Sequence, residues 1–316
     1  MNIEEYIKKI EAEIAKEKHE ARNEAGLLRL GEVMAAYDGE YKLIWSDDLQ
    51  KEMESRPKVS AFKTGLESFD KLTGGFLEKQ LITVGAHSKH GKTAFGLFLL
   101  EKLAALNPVM IPLEQANEEL IEQRVANGWS VPRFLSPKSL AARVTVDWIE
   151  ERVVEGIAKY DTKFVLVDHL GYINDMGKDG EFKREHHAYR IERIMQGLKN
   201  IAKKWNVAIV ILVHIVKADE GRTPQLEDLK GSQSILGESD KVIMLWRENV
   251  LKNKIRIYKN RTLLSVLANR RTGQNGYVGL EFDLETGTYK ENNSWVDSLV
   301  KAATASVEAD DIMDSI

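Results

Sequence analysis

The chain has 316 residues, 43% hydrophobic and 30% charged, which leaves room for one large domain with appendages. It contains no cysteine, excluding disulfides and thiolate-bound zinc. No apolar run nears the ~20 residues of a membrane-spanning helix. The opening MNIEEYIKKIEAEIAKEKHE has no apolar signal-peptide core, so a cytoplasmic protein with no membrane partner is expected. The net charge of −4 is unevenly spread: residues 1–60 and 291–316 are acidic, and 61–290 carries a net positive charge compatible with a polyanion track.

In chain order, residues 3–36 read as helical. Ile3, Ile7, Ile10 and Ile14 form one stripe, and Leu27, Leu28, Leu30, Val33 and Met34 form a second apolar set before Asp38-Gly39 breaks the pattern. This arm, 1–58, either packs on its own domain or docks on a neighbouring subunit. From 59 to 290, short apolar runs alternate with helical stretches. The runs are Leu81–Val84, Val109–Ile111, Phe164–Val167, Val207–Val213 and Lys241–Trp246; the helical stretches include one from Asn117, 147–160 and Tyr189–Trp205. Hairpin-like segments follow to about 289. The pattern predicts an α/β domain with a mostly parallel sheet covered by helices on both faces. Residues 291–316 read as a polar, acidic, poorly ordered tail, either solubilising or a docking peptide.

The strongest local signal is Gly85-Ala86-His87-Ser88-Lys89-His90-Gly91-Lys92-Thr93, between an apolar strand and an apolar helix. A triphosphate needs converging backbone N–H groups, which a glycine-containing loop at a helix start supplies. Lys92 would reach the β- and γ-phosphates, and Thr93 would set its hydroxyl on Mg²⁺. The usual spacing places the first glycine at Ala86, with Gly85 one residue earlier. The loop histidines read as solvent-facing or phosphate-neighbouring rather than metal-binding. Asp168 at the end of a strand is either a turn residue or the carboxylate that holds Mg²⁺ through water. Glu114, ending another, either caps the following helix or activates the attacking water.

These residues resemble a known family. Thr64–Phe76 is similar to the opening of RecA-superfamily ATPase domains, and Gly85–Thr93 with Ala94-Phe95 resembles the DnaB-type replicative helicases, including alanine at the place of Ala86. Leu113-Glu114-Gln115 resembles that family's catalytic-glutamate motif, and Val165–Leu170 its Walker B strand. Val210–His214 resembles the strand ending in a γ-phosphate sensor, which makes His214 the sensor. Asp228–Ser232 through Asp240 resembles a DNA-contacting loop and its helix. Asn269–Gly276 is similar to an arginine-finger segment, with Arg270 as the finger and Arg271 as its rival; Ala268 stands where the family commonly has lysine.

The resemblance implies a RecA-like, Mg-ATP-hydrolysing motor (another NTP or dNTP is open), assembled as a homo-oligomeric, hexameric ring. It implies 5′–3′ travel on single-stranded DNA, with a primase or a single-strand-binding protein as further partners. Pore loops would carry Lys178, Lys183 and Arg184, then Lys217, Arg222 and Lys230, and track phosphates with little regard for sequence. The basic run Lys252, Lys254, Arg256, Lys259, Arg261 is a third contact or a solvated hairpin. The alternatives are a recombination ATPase of the same superfamily and a nucleotide-gated scaffold or loader.

Overall fold

The computed structural model describes residues 12, 24–39, 42–55, 61–174, 187–215, 222–229 and 232–299. The chain divides into two compact units, Met1–Lys58 and Val59–Ile316. In the first, helix α1 (Glu24–Ala35) stops before Asp38-Gly39, and α2 (Ser46–Ser55) carries Asp47 and Asp48 in its first turn, where the helix dipole favours anions. The isoleucine stripe of the arm lies outside the described residues.

The second unit is built on one eight-stranded sheet of order β2-β3-β4-β1-β5-β6-β7-β8. Its parallel half comprises β2 (Val109–Pro112), β3 (Phe164–Asp168), β4 (Ala208–His214), β1 (Leu81–Ala86) and β5 (Lys241–Lys252). β6 (Ile255–Asn269), β7 (Gly276–Asp283) and β8 (Thr288–Glu291) extend it antiparallel from β5. Strands β1 to β3 are buried throughout, because helices cover both faces.

One face packs with α3 (Glu67–Thr73) and α4 (Lys92–Lys102), the apolar helix after the glycine-containing loop. α5 (Asn117–Ala126) adds Leu120 to that side. The other face receives α6 (Val146–Tyr160), α7 (His187–Trp205) and α8 (Ser232–Glu238). α6 starts at Thr145, whose hydroxyl accepts the Trp148 N–H at 3.2 Å, and stops at Asp161 in the left-handed conformation. α7 buries Ile191, Ile194, Met195, Leu198 and Ile201, one helical face. β5 and β6 are joined by a two-residue turn, with Asn253 and Lys254 both at positive φ as a right-twisting hairpin requires. The basic run therefore lies on a β ribbon, with Lys259 and Arg261 both facing Glu248.

The polar tail begins later than 291. Trp295 (6% exposed) and Val296 pack against Trp246 and Leu263, so the first residues after β8 close a third small core. The charge-rich composition hid this contact because it rests on a single aromatic anchor. Residues 300–316 lie outside the described residues. Trp295→Ala is expected to cost about 3 kcal/mol, read as a lower urea midpoint at unchanged slope; a loss near zero would show that the segment is only laid on the surface.

Candidate nucleotide site at the carboxyl edge of the sheet

The strand registers assemble the site. Ala86 pairs with His214, Leu212 with Asp168, and Asp168 with Pro112, so four parallel strands end side by side. The chain leaves β1 toward the far edge strand β2, but leaves β4 toward β5 on the opposite side of β1. Such a divergence opens a crevice above the carboxyl ends, the usual ligand position in a sheet of this kind. Gly91 turns the loop into α4 at φ +87, and a Cβ there would meet the Tyr289 hydroxyl at 2.4 Å, so a side chain is excluded twice over.

Lys92 is buried at this edge. Its Nζ donates to the carbonyls of Ala86 (3.2 Å) and His87 (3.1 Å) and to Nδ1 of His214 (2.9 Å), which uses all three ammonium protons. Burial lowers its pKa to about 8, opposed by Glu114 and Asp168. At neutral pH it is still a cation, so His214 Nδ1 must accept and the neutral ring carries its proton on Nε2. That nitrogen faces Glu114 Oε2 at 3.3 Å. A second imidazole does the same. His169 Nδ1 accepts the Gly171 N–H at 3.0 Å, leaving the proton on Nε2, 3.6 Å from the same oxygen. The rings meet edge-on with centroids 4.2 Å apart. Burial, then the His214 charge, brings the His169 pKa down to about 4; burial, then Lys92, lowers that of His214.

Asp168 completes the group. Its Oδ2 accepts the Thr93 hydroxyl at 2.8 Å, while Oδ1 is buried with no hydrogen-bond partner among the described residues. Burial raises the carboxyl pKa to about 6, against the Thr93 hydrogen bond. An orphaned carboxylate oxygen beside a threonine hydroxyl suits a small, hard cation such as Mg²⁺, and these two residues would hold it. Glu114, His169 and His214 also lie within 4.8 Å of one another, the spacing of a metal-ligand triad. Both Nε2 atoms carry protons, however: that of His214 is within hydrogen-bond distance of Oε2 at 3.3 Å, and that of His169 faces the same oxygen from 3.6 Å, just beyond it. Glu114 does not cap the next helix: α5 opens at Ala116 without a side-chain cap. Its N–H donates instead to the Asp168 carbonyl at 3.1 Å.

The loop histidines are buried, not solvent-facing (His87 5% and His90 0% exposed). His90 Nδ1 accepts the Arg247 N–H at 3.0 Å and its ring meets Tyr258 edge-on, tying the loop to the β5–β6 ribbon.

The model of the DnaB-like helicase C-terminal domain matches residues 61–134 and 139–291. The chain belongs to this family. The DnaB-like relatives include the replicative DNA helicase DnaB of Treponema pallidum, 26% identical over 268 residues, which span 74% of this chain and 58% of that protein. The DnaC replicative helicase of Bacillus subtilis is 24% identical over 79% of this chain and 59% of its own length. The chain thus spans little more than half of these relatives. Among solved structures, one ATPase domain superposes with TM-score 0.62 at 20% identity, over 77% of this chain and 95% of that one. A DnaB-like replicative helicase described with its primase interactions gives 0.64 at 19% identity, over 90% and 76%. These two likenesses establish the DnaB-like, RecA-type fold.

Within this DnaB-like domain, Lys92, Thr93, Glu114, Asp168 and His214 converge. Arg270 and Arg271 do not join them. They follow β6, whose last residue Asn269 pairs with Lys241, next to Ile82 near the start of β1. The four residue steps from Ile82 to Ala86 alone separate them from the loop by roughly 13 Å of strand. The Arg270 guanidinium donates to the Leu236 and Gly237 carbonyls at the end of α8, whereas that of Arg271 has no hydrogen bond among the described residues. Of the expected DNA contacts, Lys178, Lys183, Arg184, Lys217 and Lys230 lie outside the described residues. Arg222 is clamped on Asp228 by two bonds of 2.7 and 2.9 Å. The residue that sequence reasoning passed over is His169: it stood inside a recognised strand motif, but nothing local marked its ring as facing Glu114.

Imidazole ¹⁵N shifts at pH 7 are expected to report Nε2–H tautomers for both His169 and His214, with His169 still neutral at pH 5. A protonated His169 at that pH, or an Nδ1–H form of either ring, would contradict this hydrogen-bond assignment.

Proposed function

We propose that the chain is the motor of a DNA helicase, hydrolysing Mg-ATP (or a related nucleoside triphosphate) between two copies of itself to move along single-stranded DNA. One observation carries this reading. Residues suited to phosphate, cation and base roles stand at one edge of the sheet, while Arg270 and Arg271, suited to charge neutralisation, stand at the other, from which a second copy could bring them to the site. Contacts of this head-to-tail kind close into rings or run into helices, and the family favours the ring, a hexamer.

In this reading Gly85–Thr93 wraps the triphosphate and Lys92 exchanges its carbonyl and His214 partners for phosphate oxygens. Thr93 and Asp168 would hold Mg²⁺, which would supply charge neutralisation at the phosphates. Glu114 orients and deprotonates water. His214, released by Lys92, turns to the γ-phosphate and reports its loss. The neighbour's arginine stabilises charge developing in the transition state. Arg271 has the uncommitted guanidinium, so it is the better finger, and Arg270 holds the turn against α8. Lys178, Lys183, Arg184, Lys217 and Lys230 form the strand track. Arg222 is better suited to bracing its loop through Asp228. Travel runs 5′ to 3′, in the cytoplasm, with a primase or a single-strand-binding protein as a working partner.

Glu114→Gln is expected to lower DNA-stimulated ATP turnover by about 100-fold or more while labelled Mg-nucleotide still binds. Arg271→Ala should be inactive alone, and mixing it with Lys92→Ala should restore turnover by completing hybrid sites; no recovery on mixing would refute a shared site. A fork with only a 5′ tail should be unwound in preference to one with only a 3′ tail.

Because protonation of Asp168 below its raised pKa of about 6 would remove a carboxylate that would hold Mg²⁺, Mg-nucleotide affinity should fall as the pH drops below that value, by up to about tenfold per unit. Asp168→Asn should bind more weakly and lose this limb. A limb that persists in the variant would assign it to the nucleotide.

A further inference from the structure

We infer that His169 is the positioning residue for Glu114: its fixed Nε2–H holds carboxylate oxygen Oε2 and leaves Oε1 for the attacking water. The inference rests on the hydrolytic reading above and deepens it, since no role for this imidazole follows from the strand motif in which it lies.

Two rings approach Oε2, but they are held in different ways. His214 owes its tautomer to the Lys92 ammonium, the group that phosphate would claim. Its hold on Glu114 is therefore conditional. His169 owes its tautomer to a backbone N–H, that of Gly171, which no phosphate competes for. The short turn that carries Gly171 is itself braced: Arg190 donates to the carbonyls of Gly171 (3.3 Å) and Ile173 (3.0 Å). The ring is 9% exposed as a residue and packs edge-on against Tyr172 with centroids 4.8 Å apart. Space around it is also specified. A Cβ on Gly171 would lie 2.7 Å from His169 Cε1, so any side chain there would push the ring from its place.

Apart from these two rings, Glu114 is steered among the described residues through its main chain, by the N–H bond to the Asp168 carbonyl. That fixes where the side chain starts but not which oxygen faces the crevice. A second, permanent donor on Oε2 does. The present 3.6 Å separation is a few tenths of an ångström beyond a hydrogen bond, and catalytic contacts of this kind commonly close when substrate arrives. Loss of such orientation is costly, since a misplacement of about 1 Å at a reacting group can cost about 100-fold.

The test uses the full chain with Mg-ATP and single-stranded DNA. His169→Phe keeps the ring's bulk without the donor, and is expected to lower kcat on the order of 10- to 100-fold with KM and labelled-nucleotide affinity within about twofold. His169→Gln keeps an N–H donor and should recover most of the loss. Gly171→Ala leaves the imidazole's chemistry intact but displaces it, and should fall between the two. Wild-type kcat in His169→Phe, or equal damage in the Phe and Gln variants, would overturn the inference. A second readout does not need turnover. The His169 Nε2–H proton should be visible by ¹H–¹⁵N spectroscopy with nucleotide bound, protected by the carboxylate, and should exchange freely in Glu114→Ala. Absence of that protection overturns the assignment even if the unmodified chain hydrolyses ATP. Absence of hydrolysis in the unmodified chain with the protection present strikes the motor reading alone.

Discussion

The Lys92 ammonium, buried at the carboxyl end of β1, orders the chemistry around it. An ammonium taken out of water must be fully hydrogen-bonded, and here two loop carbonyls and one imidazole nitrogen supply the partners. Those bonds fix the loop's curvature and the tautomer of His214, and through that tautomer a donor on Glu114. The same ammonium lies within electrostatic range of Glu114 and Asp168, which partly offsets the burial of the Asp168 carboxyl. A polyphosphate would compete for it with stronger acceptors, so one exchange of partners reaches the loop, the sensor and the base together.

The sheet makes this arrangement possible by ending four parallel strands in register. Asp168 and His214 are the last paired residues of β3 and β4, Glu114 lies two residues beyond β2, and the loop after β1 leads to Lys92 and Thr93 at the start of α4. The core on each face holds these ends at fixed separation, so the functional groups ride on the most rigid part of the molecule. The antiparallel half has a different task. It carries the β5–β6 ribbon that touches His90, and it sends Arg270 and Arg271 to the opposite edge. In the proposed reading, one sheet presents two incomplete half-sites on opposite edges, which would be a geometric reason for assembly.

In the proposed mechanism, two imidazoles held with different permanence beside one carboxylate separate orientation from signalling. The imidazole anchored by the backbone keeps the base aimed, while the one anchored by the ammonium is free to respond to the phosphates. Placing both tasks on a single histidine would tie the aim of the base to the state of the sensor.

Periodicity and spacing alone determined much of this protein. The alternation of apolar runs and amphipathic helices marked the parallel sheet, and Gly85–Thr93 marked the phosphate loop, because backbone geometry and phosphate chemistry demand particular residues at particular intervals. Lys92, Thr93, Glu114 and Asp168 were candidates from their places in the loop and at strand ends, and His214 from the family resemblance alone; strand register brings these five together. Tertiary structure decided what depends on strand order and register, which no local pattern encodes. It set His169 against Glu114 across 55 residues, buried the loop histidines under a ribbon from the other half of the sheet, and folded Trp295 back onto Trp246. It also separated the two arginines, adjacent in sequence and identical in chemistry, by the carbonyls at the end of α8 that only one of them reaches.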